Sequence, residues 1–158
     1  MPISKDEFRH ALGRFASGVT VVTTRDSDGR LHGITVSAFC SVSLEPPLIL
    51  VCIEKNTGSH HAFEQSSSFV VNLLREDQQY ISDRFASYLS DKFAETKYHL
   101  GIDDLPVLED VLANLECRLV NSHASGDHTI FVGQIERATV NDDKPLIYWH
   151  SNYRNLRN

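Results

Sequence analysis

At 158 residues, with a formal net charge of −6 and 41% apolar residues, the chain reads as one domain, residues 1–158, long enough to bury roughly two thirds of its unfolded surface in its own core. Its basic residues are scattered without a stripe, which excludes nucleic acid as a partner, and no apolar run approaches membrane-spanning length, so a cytoplasmic protein without membrane contact is expected. Cys40, Cys52 and Cys117 are an odd number, lack CxxC spacing and fall in apolar stretches, and so read as reduced, buried thiols rather than disulfides or zinc ligands.

Ser4 and Glu7 form a capping-box pair, after which Phe8, Ala11, Leu12 and Phe15 recur at helical spacing until Gly18 stops the pattern. This predicts an amphipathic first helix. Residues 19–24 are β-branched, and Asp26-Ser27-Asp28-Gly29 is turn chemistry, so the chain is expected to reverse and return along residues 31–39. Thr35, Ser37, Ser41 and Ser43 alternate with apolar residues, which predicts a strand with one face lined by small hydrogen-bonding groups. Pro46-Pro47 excludes helix, and residues 48–53 form the nearly unbroken apolar run expected of a strand buried on both faces. A loop over residues 54–59 follows, its Ser59 placed to cap a short helix through His60, His61, Ala62 and Phe63.

Residues 69–74 read as the next strand, and Asp77 is placed to cap a helix carrying Ile81 and Phe85. No strand is expected between residues 90 and 106. Leu115, Cys117 and Leu119 share one face of a later strand, and Ile130, Val132 and Ile135 line its successor across a Ser125-Gly126-Asp127 turn. Leu146-Ile147-Tyr148-Trp149 supplies a last short strand before a polar tail. Strands joined by short turns, with few helices, predict a mainly β fold, an antiparallel barrel with helices at its ends. With no dinucleotide fingerprint or Walker sequence, a nucleotide would lie on a barrel face, in loops or between subunits.

Small residues from Thr35 to Ser43 are those of an ordinary solvated strand, or those that let backbone N–H groups approach a planar ring closely. His128, after Gly126-Asp127, is a turn histidine or a group that titrates near neutrality and orients a substrate. His60 and His61 are adjacent, do not share a helix face and have no carboxylate completing a ligand set, so no metal site is expected. Nothing marks a nucleophile elbow or an activated thiol, which argues against hydrolysis. Lys55, Arg84 and Lys92 are surface charges by default, yet each falls near a loop or helix end where a phosphate is held.

Taken in order, the segments Phe15-Ala16-Ser17-Gly18-Val19-Thr20-Val21-Val22-Thr23-Thr24, residues 33–43 with Leu44-Glu45-Pro46-Pro47, Val71-Asn72-Leu73-Leu74, Arg84-Phe85-Ala86, Asp91-Lys92-Phe93, Leu115-Glu116-Cys117, Gly126-Asp127-His128 and Pro145-Leu146-Ile147-Tyr148 span nearly the whole chain. Together the series resembles the short-chain flavin reductases of the FMN-binding split-barrel fold, the reductase components of two-component flavin monooxygenases. The resemblance implies an antiparallel split β-barrel, a homodimer with flavin near the subunit interface, and an NAD(P)H:flavin oxidoreductase that reduces FMN or FAD with NADH or NADPH for a partner monooxygenase.

It places Thr35, Ser37, Ala38, Phe39, Cys40, Ser41 and Cys52 around the flavin ring and ribityl chain. Lys55, Asn56, Thr57, Gly58, Ser59 and His60 fall at the ribityl and phosphate end, completed by Arg84, Phe85 and Lys92. His128 matches a histidine beside the nicotinamide, and His150, Ser151, Asn152 and Tyr153 match residues that help hold NAD(P)H. The tail Trp149-His150-Ser151-Asn152-Tyr153 departs from the more basic or glycine-containing turn of relatives, which leaves the choice of pyridine nucleotide open. The alternatives are a non-catalytic flavin carrier or sensor, or a flavin-dependent oxidase of the pyridoxamine-oxidase-like type.

Overall fold

The computed structural model describes residues 2–157; Met1 and Asn158, the two ends of the expected domain, lie outside the described residues. In chain order the elements are α1 (Lys5–Leu12), β1 (Ser17–Gly18), β2 (Thr20–Arg25), β3 (Leu31–Val36), β4 (Phe39–Ser43), β5 (Leu48–Glu54), α2 (His60–Gln65), β6 (Ser68–Leu73), α3 (Gln79–Ala86), β7 (Tyr98–Leu100), β8 (Pro106–Leu108), β9 (Ala113–Ser125), β10 (His128–Val140), β11 (Ile147–Trp149) and β12 (Asn152–Arg154). Seven strands form one antiparallel sheet in the order β3-β2-β6-β9-β10-β5-β4. The sheet wraps around a core of Val22, Val51, Phe63, Val71, Cys117 and Phe131. The expected mainly β, antiparallel barrel with helices at its ends is therefore the architecture.

The Ser4/Glu7 capping box is present, with the Glu7 amide donating to Ser4 Oγ and the Ser4 amide donating to Glu7 Oε2. The helix it starts is shorter than predicted, ending at Leu12 with Gly13 as its C-cap, and it buries nothing within the chain. Phe8, Leu12 and Phe15 are all exposed, Phe15 at 78%.

Several expectations are corrected by the backbone. Residues 31–39 do not form one strand: β3 stops at Val36, and Phe39 starts β4 after a break at Ser37-Ala38. The four hydroxyls therefore do not line one wall. Strand β5 alternates, burying Ile49, Val51 and Ile53 while Leu48, Leu50 and Cys52 are only half covered, so the apolar run is not buried on both faces. Along β10 the core residue is Phe131; Ile130 and Val132 take the other face, and Ile135, in phase with Phe131, packs against the core.

Asp77 does not cap α3. It binds Arg75, and Gln78 occupies the N-cap position without a side-chain cap bond. Ser59 likewise stands at the N-cap of α2 without capping it. Short strands β7 and β8 pair where none was expected over residues 90–106, and the tail forms β12, which folds back on β11.

A buried polar network ties the sheet together at Asn72, which has no exposed surface. Its amide nitrogen donates to the Val21 carbonyl at 2.8 Å, and its oxygen accepts from the Leu108 amide at 3.0 Å and from Asn114 Nδ2 at 2.8 Å. One side chain thus joins β2, β6, β8 and β9. Each of its polar groups would be costly to bury unpaired.

Candidate functional site: an open cleft at the barrel rim

A cleft of about 1260 Å³ opens between β3, the loop after β5, the end of α3 and residues 87–96. Gly33 forms its floor because nothing larger fits: a Cβ there would stand 2.6 Å from the Phe85 ring. The close approach lets Phe85, fully buried and in edge contact with Phe93, pack directly under the β3 backbone. Asp91 Oδ1 accepts the Phe93 and Ala94 amides, a local turn that aims Lys92 into the cleft.

Lys92 Nζ donates to the carbonyls of Phe85 at 3.0 Å and Gly33 at 3.3 Å. Burial pulls its ammonium below the usual lysine range. A cation whose contacts are carbonyl oxygens is well placed to take an anionic group, which would offset its desolvation.

Of the residues singled out by resemblance, Thr35, Asn56, Thr57, Gly58, Ser59, Phe85 and Lys92 line this cleft together. Thr35 spends its hydroxyl on the Ser82 carbonyl at 2.6 Å. Ser37 and Phe39 instead border a separate hollow of about 190 Å³ beside Gly18 and Leu74. Ala38 accepts the Cys52 amide, while Cys40 and Ser41 lie exposed on β4 outside both hollows. Cys52 is half covered, and its thiol is raised above the ordinary value, chiefly by burial and then by Cys40.

His60 points away from the cleft: its Nε2 lies 2.9 Å from Thr129 Oγ1 and its ring packs against Phe131. Arg84 is an anchor, donating to the Glu95 carbonyl and Thr96 Oγ1 and so holding residues 95–96 against α3. Lys55 is likewise committed. Its Nζ donates to the Gly126 carbonyl at 2.7 Å and its amide to the Asp127 carbonyl at 2.9 Å, which ties the loop after β5 to the β9–β10 turn.

That turn carries His128, whose backbone pairs with Glu54 at the cleft wall. Gly126 takes φ +61°, a conformation glycine adopts without strain. His128 Nδ1 sits 2.7 Å from Asp127 Oδ1, an interaction that holds the Asp127 carboxyl below its usual range and leaves Nε2 for a ligand.

The C-terminal residues lie elsewhere. The Tyr153 hydroxyl is 2.7 Å from Ser82 Oγ and donates to Asp83 Oδ1 at 3.1 Å, so it clamps β12 onto α3. His150 and Ser151 form the turn between β11 and β12 with positive φ, and Asn152 Nδ2 donates back to the His150 carbonyl. His32, Ser87 and Tyr88 are cleft residues that motif reasoning missed, and Asp91, quoted there within a motif, joins them without having been assigned to the site. The signal for them was sequence adjacency, His32 to Gly33, Asp91 to Lys92, and Ser87 and Tyr88 to the Arg84-Phe85-Ala86 segment.

A small antiparallel barrel with a hollow at its rim, polar along one loop, aromatic at Phe85 and Tyr88 and cationic at Lys92, offers groups complementary to a sizeable, partly apolar anion. Residues 12–157 match the profile of the flavin reductase like domain, and the chain belongs to that family. It is 39% identical over 152 residues to the reductase component of 4-nitrophenol 4-monooxygenase/4-nitrocatechol 2-monooxygenase from Rhodococcus opacus, covering 96% of this chain and 81% of that protein. It is 40% identical over 141 residues to the FMN reductase (NADH) SmoA from Agrobacterium fabrum, covering 89% and 80%. Among solved structures, the NADH:FAD oxidoreductase SgcE6 of Streptomyces globisporus superposes with a TM-score of 0.93 at 31% identity, covering all of this chain and 96% of that one.

Proposed function

We propose that this chain is an NAD(P)H-dependent flavin reductase that takes FMN or FAD into the cleft, reduces it by hydride transfer and hands the reduced flavin to a flavin-dependent monooxygenase. The observation that carries the reading is the convergence of Gly33, the Asn56–Ser59 loop and Lys92 on one cleft large enough for such a ligand. The flavin, when bound, supplies the hydride-accepting chemistry. The chain's own work is to bind and align. Lys92 meets the anionic end, loop residues 56–59 offer hydroxyl and amide groups, and Phe85 supports the floor. His128, held by Asp127, presents Nε2 at the rim to position the nicotinamide.

A second copy of the chain completes the molecule in this reading. The uncovered apolar residues of α1 and of β4 with its following turn, Leu44 among them at 92% exposure, are the surfaces such a dimer would cover. The relatives named as monooxygenase reductase components support the partner.

The test is to follow NADH and NADPH oxidation by the purified protein with FMN, FAD and riboflavin in turn. Oxidation in at least one combination is expected, and none in any would instead favour a flavin carrier. His128→Ala should lower NAD(P)H-dependent turnover by about 10-fold or more while flavin affinity changes little. An unchanged reductive half-reaction in stopped-flow traces would remove His128 from this role.

A further inference from the structure

His60 and His61, adjacent in sequence, go to opposite sides of α2. His60 enters the core, and His61 meets the hairpin of β2 and β3. There it joins Asp26, at the end of β2, and His32, on β3, so that one ligand atom from each lies within 4.8 Å of the others. Asp26 is fixed for this. Its Oδ1 accepts the Asp28 amide at 3.0 Å and the Arg30 amide at 2.9 Å. Those bonds leave Oδ2 facing the two imidazoles, 2.8 Å from His32 Nε2 and 4.0 Å from His61 Nε2. The rings stand edge to face with centroids 5.0 Å apart.

We propose that Asp26, His32 and His61 form a binding site for a divalent transition metal of Zn²⁺ or Co²⁺ type at the rim of the cleft. Two imidazoles and one carboxylate are a recognised ligand set for such ions, with open positions left for water. Metal–ligand bonds of about 2.0–2.1 Å at tetrahedral angles put ligand atoms about 3.3 Å apart. The observed 2.8 and 4.0 Å lie on either side of that value.

Reaching it needs a small outward turn of His32 and an inward turn of His61, whose side chain is 54% exposed and free to move. Asp26 and His32 are the rigid half of the site. The Asp26 side chain is only 5% exposed, and its second oxygen is already engaged by backbone. A metal here would fasten α2 to the β2–β3 hairpin, and through His32, which lines the cleft, would touch the wall of the flavin pocket.

Tag-free protein titrated with Co²⁺ tests this. Wild type should develop visible d–d absorption saturating at one ion per chain, and saturating Zn²⁺ should abolish that absorption and raise Tm by on the order of 5 °C. His61→Ala alters an exposed side chain and should keep the metal-free circular dichroism and Tm of wild type. It should nevertheless weaken Co²⁺ binding by more than about 10-fold. His32→Gln should do the same through the other imidazole. If wild type shows no such absorption, or if His61→Ala binds Co²⁺ with unchanged affinity and stoichiometry, the three residues are a hydrogen-bonded cluster only and the proposal fails.

Discussion

Asn72 and Leu44 stand at opposite extremes of the molecule. Around Asn72 every polar group has a protein partner and every neighbour is covered, so that region is complete within one chain. Around Leu44 and along α1, large apolar side chains lie open to water. The contrast separates a region satisfied by its own chain from the surface that the proposed dimer would cover. The cleft combines both characters, with a close-packed floor at Gly33 and Phe85 and an opening at the rim.

Substitution in the complete region should cost the most. Asn72→Leu would leave the Leu108 amide without its acceptor, remove one of the two acceptors of Asn114 Nδ2 and take away the side-chain donor to the Val21 carbonyl, and should lower stability by about 2–4 kcal/mol. Urea denaturation would show this as a lower midpoint at unchanged slope, and a midpoint equal to wild type would mean the network contributes little.

Gly33→Val comes next. It drives a branched side chain into the Phe85 ring, so a stability loss of about 1–3 kcal/mol should be accompanied by a fall in flavin affinity, read by quenching of flavin fluorescence. On the open side, Phe15→Asp and Leu44→Asp should leave chain stability within about 0.5 kcal/mol. Wild type is expected to sediment as the proposed dimer and each variant as a monomer; a species that does not change in either variant would break the contrast.

The smallest effect concerns Cys117. Burial first, and then Glu116 and Glu136, push its thiol up to about 12. The neutral thiol is therefore favoured in the folded state up to that pH, and native protein at pH 9 should leave Cys117 unalkylated by iodoacetamide until denaturant is added.

Local chemistry in the sequence was readable wherever one short segment decides the outcome. The Ser4/Glu7 box, the Asp26–Gly29 turn and the Gly126 turn all formed as their residues predict. What failed depended on distant partners. Phe131, Gly133 and Ile135 alternate onto the core face of β10, so Ile130 and Val132 take the other, and alternation alone does not mark which face points inward when both carry apolar residues. Strands β7 and β8 are three residues each, too short for a periodic signal. In the cleft, Lys92 and residues 56–59 were legible through motif order. The roles of Arg84, Lys55 and Tyr153 were not, because a charge or hydroxyl looks the same in sequence whether it meets a ligand or ties two segments together. His61 is the clearest instance, since its neighbours Asp26 and His32 lie some 30 residues upstream.

The Lys55 tie has one more consequence. By bonding to the carbonyls of Gly126 and Asp127, it makes the loop after β5 and the turn bearing His128 into a single stiff jamb. The facing side, residues 87–96, is held by the Arg84 and Lys92 contacts and carries Tyr88 fully in solvent. Tyr88 stands on the less firmly tied side of the cleft, and amide hydrogen exchange should run faster through residues 87–94 than through 55–59.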